Sequence, residues 1–113
     1  MNKFNDPTFL KALAAKRFQE VFRDRKFCEQ QTVLLSAYAM ETDFDEVVIK
    51  SEPMNFFQNR IYSAMFAELI SAAKIKPIFV EIEPEDYFSW LIENKLKNTT
   101  ENRAAYCGVM ISD

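Results

Sequence analysis

The segment from Met54 to Lys74 limits the possible folds more than any other part of the chain. Its apolar side chains recur at three- and four-residue intervals and cover about half of a helical circumference, which is wider than the stripe of an ordinary surface helix. These side chains are Ile61, Tyr62, Met65, Phe66, Leu69, Ile70, Ala72 and Ala73. Because so wide an apolar arc must be covered from more than one direction, we predict that this helix is central to the fold.

Three further helices follow from end signals and spacing. Asp6 and Pro7 are typical of an N-cap and a first helical residue, and predict a helix to about Arg25. Pro84 begins a helix to about Lys97, and a last helix is expected over residues 101–110 with Thr99 or Thr100 as its N-cap. The apolar arc predicted for the Pro84 helix consists of Tyr87, Phe88, Leu91, Ile92 and, at its edge, Leu96.

Residues 27–50 are ambiguous. Residues 27–41 favour a helix, although Thr32–Leu35 is also compatible with a strand. Asp43 and Glu46 have the spacing of a capping box, yet the β-branched residues that follow prefer extended structure.

A small β element is predicted near residues 77–83, between two prolines. A strand needs a partner for its backbone groups, and the candidates are residues 46–50, residues 108–112 or the same strand of a second subunit. The fold class that results is α+β and mainly helical: one domain over residues 1–113, with four to five helices around the central helix.

Composition excludes several classes of chemistry. The 113 residues include no histidine, one glycine and two cysteines. Serine and cysteine hydrolases that depend on histidine, imidazole metal sites and glycine-rich phosphate loops are therefore excluded, and we expect neither a cofactor nor a metal. Residues 1–30 lack the pattern of a secretory signal, which favours a cytoplasmic protein in which Cys28 and Cys107 are buried thiols.

Charge alternates along the chain. Residues 1–26 carry seven basic and three acidic side chains, a net charge of +4, whereas residues 27–53 carry one and six, a net charge of −5. Residues 54–76 have a net charge of +2 and residues 77–113 of −4, so that the total is −3. This balance is compatible with several kinds of partner.

We expect this protein to bind another protein without catalysis, as an adaptor, inhibitor or assembly factor and either as a monomer or as a homodimer. Trp90 lies off the apolar arc of its helix, beside Asp86 and Glu93. It could be an interface anchor, a ring folded back over the edge of the core with its N–H in water, or a ring covered by the C-terminal helix. Phe56 and Phe57 are adjacent and cannot both face one core, so one of them could complete the patch. The acidic blocks would then select the partner.

Two other functions remain open. A nucleic-acid-binding protein would use the basic first helix through Lys16, Arg23, Arg25 and Lys26, although these side chains do not form one stripe. A carboxylate metalloenzyme would use Glu81 and Glu83, which share a face if both lie on one strand.

Overall fold

The computed structural model describes residues 2–21, 32–48 and 53–111. Over these ranges the fold is α+β and mainly helical, with five α-helices and a two-stranded parallel sheet, which confirms the predicted class. After a 3₁₀ turn at Lys3–Asn5, the elements are α1 (Pro7–Val21), β1 (Thr32–Ala37), α2 (Glu41–Val47), α3 (Phe56–Ala72), β2 (Lys76–Glu81), α4 (Pro84–Glu93) and α5 (Thr100–Ile111). None of the described helices combines the length and the apolar character needed to cross a membrane.

The chain forms two compact units, each made of two stretches of sequence. The first unit comprises Met1–Val33 and Pro53–Ile78 and contains α1 and α3. The second unit comprises Leu34–Glu52 and Phe79–Asp113 and contains α2, α4 and α5. The strand residues are divided between the two units.

In the first unit, α1 packs against α3. Asp6 accepts a hydrogen bond of 2.9 Å from the backbone N–H of Thr8, so the predicted cap is present. Leu10 and Ala14 are fully buried on the packed side of α1. The predicted helix continues to Arg25, but residues 22–25 lie outside the described residues.

The helix predicted over residues 54–74 is confirmed as α3. A capping box starts it, since Asn55 and Gln58 each accept a hydrogen bond of 2.9 Å from the other's backbone N–H. The helix ends where Lys74 adopts a left-handed conformation with φ of 65° and the N–H of Ile75 donates to the carbonyl of Ile70.

The helix expected over residues 27–41 is wrong where it can be compared, because Thr32–Ala37 is β1. This strand is the partner of β2, a pairing that was not among the three candidates chosen from the sequence. Of those candidates, residues 46–47 lie in α2 and residues 108–111 in α5, whereas residues 49, 50 and 112 lie outside the described ranges. Pairing with residues some forty positions away outweighs the weak helical spacing of the segment.

The other helix ends are close to expectation. α2 begins at Glu41, with Met40 as a cap that makes no side-chain hydrogen bond, so Asp43 lies inside its first turn rather than capping it. α4 begins at Pro84 as predicted but ends at Glu93, because Lys95 adopts a φ of 56° and terminates it. α5 begins at Thr100, and Thr99 accepts a hydrogen bond of 3.1 Å from the N–H of Asn102, which identifies Thr99 as its cap.

Candidate functional site

The interior of the second unit is built around Asn98. Its side-chain carbonyl accepts from the hydroxyl of Tyr87 at 2.7 Å and from Nη1 of Arg103 at 2.9 Å, and its amide donates to the carbonyl of Val47. Arg103 is 7% exposed and also donates from Nη2 to Oγ1 of Thr100 at 3.0 Å. One side chain in the α4–α5 connection therefore links the end of α2 to both following helices.

Trp90 belongs to an aromatic cluster of the second unit. Its ring centroid lies 5.3 Å from that of Tyr106 and 6.4 Å from that of Tyr87, and the side chain is half-buried. The ring therefore packs against Tyr106 of the C-terminal helix, whereas its role as an interface anchor stays a prediction. Removing the Trp90 side chain would therefore remove its contacts with Tyr87 and Tyr106 as well as its exposed surface.

The buried side of α4 is rotated toward Trp90 relative to the predicted arc. Tyr87 and Leu91 are buried as expected, but Ile92, which was placed on the apolar arc, is 77% exposed. Tyr106 of α5 packs on the Tyr87–Trp90 side, so the opposite edge of α4 is left in solvent. The sequence spacing could not show this rotation, because it depends on a helix that follows later in the chain.

The outer surface of α4 is acidic with an apolar edge. We call this surface the α4 face, and it consists of Glu85, Asp86, Ser89, Ile92 and Glu93, all of which are exposed. Asp86 and Glu93 are seven residues apart and lie almost in line along the helix, with Ile92 on one flank and Trp90 on the other. Leu96, which follows the helix, is also exposed.

Two carboxylates influence the ionisation of Tyr106 in the aromatic cluster. The pKa of Tyr106 is raised, first by burial of its hydroxyl and then by the negative charges of Asp86 and Glu83. The acidic and aromatic features that were selected from the sequence around Trp90 are therefore neighbours in the second unit.

Phe56 and Phe57 belong to the first unit, at the start of α3. Their ring centroids are 5.2 Å apart, yet Phe56 is 7% exposed and Phe57 58% exposed. The prediction that only one of the two could face the core is confirmed. Phe56 is therefore a core residue and not the partner-binding residue that the sequence suggested, whereas Phe57 lies on the surface of the first unit.

The first unit also contains a groove between α1 and α3. Its volume is about 450 Å³, and it is lined by Lys11, Ala14, Ala15, Met65, Glu68 and Leu69. The lining is mostly apolar, with one basic and one acidic side chain. None of the predicted partner-binding residues lines this groove.

The residues chosen for nucleic-acid binding are described only in part. Lys16 is exposed on α1, whereas Arg23, Arg25 and Lys26 lie outside the described residues. Arg17 and Glu20, which follow Lys16 along α1, are also exposed. The described part of α1 thus presents charges of both signs.

The metal site considered for Glu81 and Glu83 does not assemble as expected. β2 ends at Glu81, and Glu83 is the N-cap residue of α4, so the two do not share a strand face. Within residues 2–21, 32–48 and 53–111, no group of three or more cysteine, aspartate or glutamate side chains could hold a metal ion.

Burial dominates the ionisation of the second unit's core. It raises the pKa of the Cys107 thiol from its ordinary value of 9.0 to about 11 and that of Tyr38 from 10.0 to about 12. Cys107 is 1% exposed, so the prediction that it is a buried thiol is confirmed; Cys28 lies outside the described ranges.

Asn98 and Arg103 were not selected from the sequence, and Ile92 was assigned to the core. Asn98 stands before two threonines that resemble a helix cap, so no local signal marks its long-range hydrogen bonds. The angular offset of Ile92 from Tyr87 and Leu91 on a helical wheel was the one signal available. Comparison of the sequence with models of known protein families and with curated proteins finds no match.

Proposed function

We propose that this protein acts by binding another protein through the α4 face, without catalysis, as a cytoplasmic adaptor, inhibitor or assembly factor. One observation carries the proposal: Ile92 is the most exposed large apolar side chain in the described part of the chain, and it lies within an acidic surface. Isolated exposed apolar residues are common, but Leu96, four residues further along the chain, is exposed as well.

The chemistry of the α4 face specifies its partner. Burying an isoleucine side chain completely contributes about 1.5–3 kcal/mol, enough to anchor a contact. Asp86 and Glu93 on the same α4 face would favour lysine and arginine on the partner and would raise the rate of association. The expected partner is therefore a protein surface with an apolar pocket and a basic rim.

Trp90 serves as the rigid flank of this surface. Its ring is fixed by Tyr87 and Tyr106, so it can present an edge to a partner without losing side-chain entropy. Since the same contacts stabilise the second unit, a Trp90→Ala variant would combine loss of binding with loss of stability. Ile92 is the better position for a test, because its side chain is almost free of intramolecular contacts.

The test compares Ile92→Ser with a matched control, Val109→Ser. Val109 is also a β-branched residue of the second unit, on α5, and is 43% exposed. Tagged wild-type protein and both variants are incubated with an extract of the source cells, and the captured proteins are quantified by mass spectrometry. The affinity of each candidate is then measured with purified components by calorimetry at two salt concentrations.

We expect a basic partner that is captured by wild type and by Val109→Ser. Its affinity should fall about tenfold or more in Ile92→Ser, as expected for loss of a buried anchor, and should weaken with salt. Equal affinity of the wild type and Ile92→Ser for every captured protein would refute the proposal. So would a loss of the same size in the two variants.

A further inference from the structure

The outer side of α3 carries few charges for an exposed helix surface. We call this side the α3 face; it consists of Phe57, Arg60, Ile61, Ala64, Glu68 and Ser71, all of them exposed. Phe57 and Ile61 are 58% and 45% exposed. The exposed side of a surface helix is normally rich in charged residues, whereas this one has a single cation and a single anion over its whole length.

The α3 face is arranged symmetrically around Ala64. Arg60 lies four residues before Ala64 and Glu68 four residues after it. Phe57 lies seven residues before it and Ser71 seven residues after it. A two-fold axis perpendicular to the helix at Ala64 would therefore exchange the basic position with the acidic one and the large side chain with the small one.

We propose that the α3 face binds the α3 face of a second copy of this chain, with the two helices antiparallel. Each Arg60 then lies opposite Glu68 of the second copy, and each Phe57 covers the small Ser71. Ala64 at the axis allows the helix axes to approach to about 8 Å, the lower end of the usual range. This interface uses the first unit and is independent of the function proposed for the α4 face.

The expected dimer is weak. A 17-residue helix is about 25 Å long, and one face of it offers a few hundred Å² of contact. Stable interfaces bury roughly 800 Å² on each partner, so this contact belongs to the small, transient class. Dissociation in the micromolar range, and a mass that rises with protein concentration, follow from that size.

A charge exchange between two variants tests this pairing directly. Arg60→Glu places two carboxylates opposite each other in its homodimer, and Glu68→Arg places two guanidinium groups opposite each other. An equimolar mixture of the two variants recreates two complementary pairs in the heterodimer. Sedimentation velocity of wild type, each variant and the mixture, from about 10 to 500 μM, measures the four dissociation constants around the micromolar range expected for so small a contact.

We expect the dissociation constant to rise about tenfold in each single variant, because exposed charge pairs contribute modestly and are replaced by repulsion. The mixture should return to within about threefold of wild type, as the restored pairs require. A second variant, Ala64→Glu, places two carboxylates at the axis and should leave only monomer, whereas Ala104→Glu on α5, also at an exposed alanine, should dimerise as wild type does.

Three results would overturn the proposal: a wild-type monomer over the whole concentration range, dimerisation that both single variants retain, or a mixture no tighter than its components. Circular dichroism of each variant confirms that its helices are intact. The Ile92→Ser variant is included so that the two proposals can fail separately, since it should dimerise normally whether or not the α4 face binds a foreign protein.

Discussion

Different interactions stabilise the interiors of the two units. In the first, α1 and α3 meet through apolar side chains such as Leu10 and Ala14, and through an edge-to-face contact of Phe18 and Phe66. In the second, a buried guanidinium, a tyrosine hydroxyl and a backbone carbonyl all meet at Asn98. An apolar contact loses stability gradually when it is trimmed, whereas a buried polar network fails when one member is removed.

The α3 face and the α4 face also differ, in the number and sign of their charges. The α3 face of the first unit has small and apolar residues and only two charges, and it is complementary to itself. The α4 face of the second unit has three carboxylates, at Glu85, Asp86 and Glu93, which would repel a second copy of the same face. The first surface therefore suits a copy of this chain, and the second suits a basic partner.

The largest effect is expected at the polar network. Asn98→Ala would leave the Tyr87 hydroxyl, the Val47 carbonyl and part of the Arg103 guanidinium without their present partner. Loss of hydrogen bonds to a buried charged group should lower the free energy of unfolding by about 3 kcal/mol. Urea denaturation followed by circular dichroism measures this change.

The matched control for that variant is Asn94→Ala. Asn94 is exposed, and its amide donates only to the carbonyl of Trp90, at 2.8 Å. Its replacement should cost less than about 1 kcal/mol. Similar losses in the free energy of unfolding of the two variants would show that the hydrogen bonds of Asn98 stabilise the second unit no more than one exposed hydrogen bond does.

A moderate effect is expected at alkaline pH, again from the second unit. Folding raises the pKa of Cys107 to about 11 and of Tyr38 to about 12, so above pH 9 the unfolded chain releases protons that the folded chain retains. The stability that these two groups contribute is therefore fully present at neutral pH and should be lost as the pH rises from about 9 to 12. The slope due to Tyr38 alone can reach about 1.4 kcal/mol per pH unit between pH 10 and 12.

This prediction is measured as the urea midpoint at intervals from pH 7 to 11 in wild type and in Tyr38→Phe. The variant removes one of the groups whose pKa folding raises and should show a shallower decline above pH 10. An identical decline in both proteins would mean that Tyr38 ionises equally in the folded and unfolded states. Tyr62, Tyr87 and Tyr106, whose pKa values burial also raises, provide the remaining background in both proteins.

The smallest effect concerns the one glycine in the sequence, Gly108, which lies inside α5. A β-carbon built at this position meets no heavy atom within 4 Å, so alanine fits without displacement. Gly108→Ala should therefore raise the free energy of unfolding by about 0.5–1 kcal/mol, through the lower entropy of the unfolded chain and better helix propensity. The reverse change at an exposed position of the same helix, Ala105→Gly, should lower it by a similar amount, and a loss of stability in Gly108→Ala would contradict the account.

Local chemistry made some elements predictable. α1 and α4 begin where an aspartate–proline pair and Pro84 place them, because proline fixes φ at the first helical position and lacks only an N–H that a helix start does not use. α3 was predictable from the helical spacing of its apolar residues, although Ile61, on the predicted arc, is 45% exposed. These features depend on residues within one or two turns of each other.

Features that depend on distant contacts were not predictable. For β1 the sequence favoured a helix although Thr32–Leu35 was also compatible with a strand, because the pairing with β2 that decides between them is not a local feature. The rotation of α4 depends on Tyr106, and the role of Asn98 depends on Val47, which is 51 positions away. The proposed anchor moved accordingly, from Trp90 to Ile92 on the exposed side of the same helix.

The central claim is that the two faces have different occupants, and the solution mass of two isoleucine variants tests it most directly. Sedimentation equilibrium at rising concentration is measured for wild type, Ile61→Ser on the α3 face and Ile92→Ser on the α4 face. The account predicts that wild type and Ile92→Ser approach the mass of a dimer while Ile61→Ser remains a monomer. A dimer that Ile61→Ser retains and Ile92→Ser loses would contradict it.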